Sequence, residues 1–200
     1  MSTRIVLATR NPHKVGELRA ILASIGVQVD LVGVTEYPDV ADVAETELSF
    51  GGNALLKAVA VAEATGLPAI ADDSGICVDA LNGMPGIFSA RWAGRHGEDA
   101  ANLDLLLAQT SDVPDGHRGA QFVCAAALAE PGPDGRRVVR EGRIEGTLLR
   151  ARRGEGGFGY DPVFLPEGFD RTTAELTAEE KNSVSHRRRA FEALAPLLPV

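Results

Sequence analysis

The first thirty or so residues constrain the fold more than any other part of the chain. "RIVLA", Arg4 to Ala8, is a short apolar run that predicts a strand. It gives way to the polar stretch "TRNPHK". Val15, Leu18, Ile21, Leu22 and Ile25 then recur at helical spacing until Gly26 stops them. "VQVDLVGV" alternates as a second strand would. The opening therefore reads strand, polar loop, helix, strand.

The pattern continues with a change of style. Ser49 is the predicted N-cap of a helix through "FGGNALLKAVAVAEATG", closed at Gly66. "PAIA" predicts a short core strand that ends at Asp72-Asp73 and stops at Ser74-Gly75. "NLDLLLAQTS" predicts an amphipathic helix. "AQFVCAAALAE" and "RRVVREGRIEG", joined by "PGPDGR", predict a β-hairpin. "DPVFLP" predicts one more strand. "HRRRAFEALAPLLP" predicts a last amphipathic helix with Phe191, Leu194 and Leu198 on one side. Hairpins intruding among strands and helices predict an α/β fold with a mixed central sheet flanked by helices, rather than a pure doubly wound parallel sheet. There is no repeat, low-complexity tract or linker. Two hundred residues fit a single domain, 1–200, with room for two lobes.

Charge restricts the partners. The net charge of −8 opposes any global attraction to nucleic acid or an acidic membrane, so an anionic ligand must be met by local bases or backbone amides. Cys77 and Cys124 both sit in apolar runs and read as buried thiols, not as a disulfide framework. No signal-peptide core and no run near the roughly 20 apolar residues of a membrane span are visible. The expectation is a soluble, cytoplasmic protein with no nucleic-acid or membrane partner.

Five stretches carry candidate chemistry. In "TRNPHK", a polar loop between a first strand and a helix suits phosphate, with Thr9 and Asn11 as hydrogen-bonding groups and Lys14 as charge. The same residues would also serve simply to start a helix. Asn53 and Lys57, at i and i+4, share one face of an otherwise apolar helix. A buried lysine there requires an anion, and Glu45 and Glu47 stand just upstream; alternatively Glu47 favours the helix N-terminus and Lys57 lies on the solvated side. In "AIADDSG", two adjacent carboxylates repel, which a hard cation would relieve; alternatively one of them acts as a base. Adjacent strand residues point to opposite faces, so one Asp is expected to serve the site and the other the structure. An Asx-turn completed by Ser74-Gly75 is the structural alternative.

"RRGEGGFGYDP" fits G-x-G-x-x-G through Gly154, Gly156 and Gly159, but no helix opens after it, so a dinucleotide fingerprint is rejected. A glycine loop with Phe158 and Tyr160 can still wrap a ligand and offer a ring to a base. Finally, Lys181, His186 and Arg187 cluster before or at the start of the last helix. There they oppose the helix dipole, and so are expected to answer to an anion or a carbonyl oxygen. Arg188 and Arg189 fit a solvated basic run better.

Taken in order, "LATRNPHKVGEL", "ETELSFGGNALLKA", "AIADDSGICVDAL", "PGIFSARWAG", "GGFGYDPVF" and "AELTAEEKNSVSHRRRAF" resemble the block series of the inosine triphosphate pyrophosphatase family, from residue 7 to 191. The resemblance implies magnesium-dependent hydrolysis of ITP, dITP or XTP at the α-phosphorus, giving the monophosphate and pyrophosphate and clearing deaminated purines from the nucleotide pool. It also implies an elongated two-lobed domain with a nucleotide cleft between the lobes, and a homodimer.

By position, Thr9, Arg10, Asn11, Pro12, His13 and Lys14 resemble a triphosphate-binding loop. Lys57 resembles a phosphate-binding lysine and Ser74 a substrate contact. Asp73 resembles the catalytic base and, with Glu45, the metal-associated carboxylates. Phe158, Gly159, Tyr160 and Asp161 resemble the loop that lines the purine. Lys181, His186 and Arg187 resemble the groups that receive its 6-keto edge. The chain departs from the commonest pattern in carrying Glu47 where many members have glycine, and Arg10 where a small residue is common. A triphosphate carries about four negative charges, which Lys14, Lys57 and magnesium would meet locally.

Overall fold

The computed structural model describes residues 3–199. The side chains of Pro12 and His13 lie outside the described residues, and so do the roles expected of them. Seven strands form one sheet in the order β2-β1-β3-β5-β6-β7, with β4 on β3. The strands are β1 (Arg4–Leu7), β2 (Asp30–Gly33), β3 (Ala69–Val78), β4 (Met84–Pro85), β5 (Gly119–Ala129), β6 (Arg137–Leu148) and β7 (Phe164–Pro166). The helices are α1 (Pro12–Ser24), α2 (Phe50–Thr65), α3 (Asp99–Gln109), α4 (Ala178–Val184) and α5 (His186–Leu194). Strands β2 and β3 run parallel to β1, while β4 and β7 run antiparallel to β3 and β6. The predicted mixed sheet flanked by helices is therefore present. Among the described residues no helix is long and apolar enough to cross a membrane.

The chain divides into two compact units. The first holds residues 1–73, 124–142 and 187–200; the second holds 74–123 and 143–186. In the first, alternation along the strands sends successive residues to two separate cores. Ile70, Cys124, Ala126 and Leu128 face α1 and α5, against Leu18, Ile21, Leu22, Phe191 and Leu194. Ala69, Ala71, Ala125, Ala127 and Ala129 face α2, against Ala54, Ala58, Val61 and Ala62. The small side chains on that face allow α2 to lie close to the sheet, consistent with its apolar, alanine-rich sequence. In the second unit one core joins Ile76, Val78, Phe122, Ile144 and Phe164 to Leu103 and Leu106 of α3.

The predicted caps of α2 are in place: the Ser49 hydroxyl accepts from the Gly52 amide at 3.0 Å, and Gly66 takes the left-handed conformation at φ 68°. The predicted hairpin is also present, with β5 and β6 adjacent and the Glu130 amide bonded to the Arg136 carbonyl. Three expectations are corrected. The strand at "PAIA" does not stop at Ser74-Gly75 but runs on to Val78. Gly75 is there because another segment presses against the strand, not because the strand turns: a Cβ would lie 2.3 Å from the Ser89 hydroxyl. Lys181 lies before the last helix, as expected, but the segment that carries it is a separate helix, α4, which ends where Ser185 becomes extended. Cys77 is only half-buried, whereas Cys124 is fully buried; both are free thiols.

Candidate active site

The unit boundary falls between Asp73 and Ser74 and again between His186 and Arg187. Each unit therefore carries its own set of candidate residues.

In the first unit the set forms around the end of its part of β3. Asp72 shares the face of Ile70 and meets α1 and α5. Its Oδ2 accepts from Arg187 Nε at 3.1 Å and lies 3.5 Å from Lys14 Nζ. Arg187 is itself buried and holds both carboxylate oxygens of Glu17 at 3.0 Å. Burial alone would push the Asp72 carboxyl up. The charges of Lys14, Arg187 and Lys57 outweigh it and hold the group far below the usual carboxylate range.

Asp73 shares the face of Ala71 and meets α2. Its Oδ2 accepts from Asn53 Nδ2 at 3.2 Å, and its Oδ1 lies 3.8 Å from Lys57 Nζ. Lys57 donates to Glu45 Oε1 at 2.7 Å, so one ammonium serves both acids. The anion expected of the buried lysine is thus a pair of carboxylates. Burial first, and then the charges of Glu45 and Asp72, push the Asp73 carboxyl up to about 6, against the opposing pull of Lys57 and Asn53. Asn53 also accepts from the Glu47 amide at 2.9 Å, fixing the 45–47 loop on α2. Glu47 enters this network through its backbone, whereas Glu45 enters it through its carboxylate.

The β1–α1 loop lies in the same unit. The Thr9 hydroxyl accepts from the Asn11 amide at 3.2 Å. The Arg10 guanidinium is engaged with Asp42 and the Val40 carbonyl.

In the second unit the 157–161 loop folds around Asp161. The Asp161 carboxylate accepts from the Phe158 amide at 2.8 Å and from Lys181 Nζ. Gly157 sits at φ 73°, and a Cβ there would meet the same carboxylate at 2.1 Å. The Lys181 ammonium lies 5.0 Å from the Phe158 ring centroid. Phe158 is 60% exposed, so its ring face is the one available to a planar ligand; Tyr160 is buried. His186 stacks on Phe122 at 5.0 Å, nearly parallel. Ser74 lies at the unit's end of β3.

The sequence had singled out Asn53 only as a companion of Lys57 on one helix face; the structure gives it the bond to Asp73. Glu17 carried no signal, because its partner Arg187 is remote in the chain. The basic cluster divides as its placement suggested: Arg187 answers to the buried Asp72 and the partly buried Glu17, and Arg188 pairs with Glu192 on the surface.

The family model described as the Ham1 family matches residues 5–197. A protein of Streptomyces coelicolor called dITP/XTP pyrophosphatase is 66% identical, the match covering 98% of this chain and 97% of that one. One of the same name from Mycobacteroides abscessus is 56% identical, covering 98% and 94%. Among solved structures, the Staphylococcus aureus Ham1 protein has a TM-score of 0.86 at 40% identity, covering 98% of this chain and 97% of that one. A HAM1 protein from Coxiella burnetii has a TM-score of 0.89 at 40% identity, covering 98% of each.

Proposed function

The chain belongs to the Ham1 family, and on that premise we propose that it hydrolyses deaminated purine nucleoside triphosphates (ITP, dITP and XTP) to the monophosphate and pyrophosphate. The names of its relatives support this substrate class. The observation that carries the reading is Asp73: a carboxylate raised to about 6 beside an ammonium and a second acid. A base is most effective when its proton affinity lies near the working pH. Asp73 is ionised at neutral pH, yet it takes a proton more readily than an ordinary aspartate. Its role is to accept the proton of the attacking water. Asn53 and Lys57 hold its two oxygens, so it presents a fixed edge.

Magnesium is the proposed cofactor, and the donor set suits it. Glu45 and Asp73 are hard oxygen donors gathered at one ammonium, and magnesium commonly takes one or two carboxylates with phosphate oxygens and water completing its shell. Among the described residues no group of three or more His, Cys, Asp or Glu gathers to hold a metal by itself, in keeping with a site that substrate completes. When bound, the ion would supply Lewis-acid polarisation of the phosphoryl group. Lys14 and Lys57 are the local bases for the triphosphate of a protein whose net charge is −8. Thr9 and Asn11 add hydrogen-bonding groups to that loop.

For the base, Phe158 offers an exposed ring, and Lys181 offers donors only. A 6-keto purine presents an acceptor to such donors, whereas adenine presents an amino group. A cytoplasmic homodimer completes the proposal and rests on the family resemblance; sedimentation of the purified protein tests the dimer. The activity is tested by incubating the protein with ITP, XTP, dGTP and ATP plus magnesium and separating the products. Monophosphate with pyrophosphate from ITP and XTP is expected. Orthophosphate with a diphosphate would overturn the reaction, and tight ITP binding without turnover would make the protein a sensor.

A further inference from the structure

Within the second unit, the block "PGIFSARWAG" touches both segments that are proposed to meet the nucleotide. Ser89 lies in the 3-10 turn Gly86–Arg91 and is buried. Its hydroxyl accepts from the Ile76 amide at 3.0 Å and donates to the Gly86 carbonyl at 2.6 Å. The turn is thereby tied to β3 two residues beyond Ser74. The approach is tight: a Cβ on Gly75 would lie 2.3 Å from Ser89 Oγ and 2.5 Å from the Gly86 carbonyl oxygen. From the other side, the Tyr160 hydroxyl donates to the Ser89 carbonyl at 2.8 Å. Tyr160 is buried, and burial, with the charge of Asp99, keeps its phenol protonated and therefore a donor. One turn thus holds the strand through a side chain and the aromatic loop through its backbone. Neither Ser89 nor the Tyr160 hydroxyl has another role in the chemistry described above.

We propose that Ser89 is a positioning residue that, through its bond to Tyr160, sets the Phe158–Asp161 loop in register with the Ser74–Ile76 part of β3. This deepens the proposed function, on which it rests for its kinetic consequence. The loop carries the stacking ring and Asp161, the carboxylate that holds Lys181; the strand carries Ser74. Releasing the turn lets these groups move independently, which weakens substrate binding. The chemical step is spared, because Asp73 and Lys57 are held by Asn53 and Glu45.

The test compares Tyr160→Phe, Ser89→Ala and the double variant. Amide hydrogen exchange is read in the ligand-free protein, and kcat and KM are read on ITP. Each single change is expected to speed exchange in both 86–91 and 157–161. Each should raise KM about five- to tenfold, the scale of one or two buried hydrogen bonds, with kcat within about twofold. The double variant should match either single one, because both changes release the same turn. If Ser89→Ala does not fold, Tyr160→Phe still tests the turn, through its backbone bond to the aromatic loop instead of its side-chain bond to β3. A folded Tyr160→Phe protein with unchanged exchange in 86–91 overturns the proposal, as does a lowered Tm with unchanged KM, or additive effects in the double variant. A wild-type protein inert towards ITP overturns the function instead, and the exchange measurement still decides the link.

Discussion

Asp72 and Asp73, adjacent in β3, bond to opposite faces of the sheet. Asp72 accepts from Arg187 at 3.1 Å on the side of α1 and α5, and Asp73 accepts from Asn53 at 3.2 Å on the side of α2. Period-two geometry separates the two carboxylates, and their surroundings then drive them apart chemically. Asp72 meets an excess of positive charge and is locked in its ionised form. Asp73 shares one ammonium with Glu45 and holds its proton more tightly. Substituting each by asparagine should therefore move stability in opposite directions.

Asp73→Asn should abolish turnover and raise stability. The folded value of about 6 exceeds the ordinary 3.8. Between about pH 4 and pH 6 the folded state binds more protons than the unfolded state, so the carboxylate costs stability as pH rises through that window. At pH 7 the variant should gain on the order of 2 kcal/mol, or a Tm increase of about 5 °C, in metal-free protein. The gap should close on acidification below about pH 4. Calorimetry across pH 4 to 8 checks it; residual turnover in the folded variant would mean that another group is the base.

Asp72→Asn should do the reverse. Its folded proton affinity is depressed, so it contributes stability above the ordinary carboxylate range, lost only as pH falls through the lower folded value. Removing the charge takes from the buried Arg187 one of its two carboxylate partners and leaves the Glu17 pair in place. A broken buried pair typically costs about 3 to 5 kcal/mol; with Glu17 retained, about 3 kcal/mol and a Tm drop near 10 °C are expected. Denaturant titration measures this, and a loss below about 1 kcal/mol would mean that Glu17 suffices.

The raised proton affinity of Asp73 has named causes that can be removed one at a time. Glu45→Gln deletes a repelling charge and should move the Asp73 midpoint down from about 6. Lys57→Met deletes the attracting charge and should move it up, and turnover should be lost with it. Carboxyl-carbon NMR of metal-free protein follows both shifts. An unmoved midpoint in both variants would mean that burial alone controls the group.

Much of this was legible in the chain because it follows from local rules. The caps of α2, the rejected dinucleotide loop, the face shared by Asn53 and Lys57, and the opposite faces of Asp72 and Asp73 all come from local capping, turn and periodicity rules. The rest depended on contacts between remote segments. Gly75 reads as a turn residue in sequence, but it is a glycine because Ser89 presses on the strand. Arg187 reads in sequence as a cation that answers to an anion, but which anions it meets, Asp72 and Glu17, is not legible, because both are more than a hundred residues away. Helix α4 is too short, at seven residues, to show a helical period in the sequence; what defines it is the capping box of Thr177 and Glu180.

Lys181→Ala separates recognition of the base from recognition of phosphate. Lys181 is bonded to Asp161 and lies over the Phe158 ring, so its ammonium belongs to the aromatic loop. Its donors should reward a 6-keto group and gain nothing from a 6-amino group. The variant should lose about tenfold in kcat/KM on ITP, in line with a hydrogen bond to a charged group, and much less on ATP. Asp161 then loses its cation while keeping the Phe158 amide, so the loop should remain folded and the loss should appear mainly in KM. Parallel kinetics on the two nucleotides decide the matter: equal losses would place Lys181 on the phosphates.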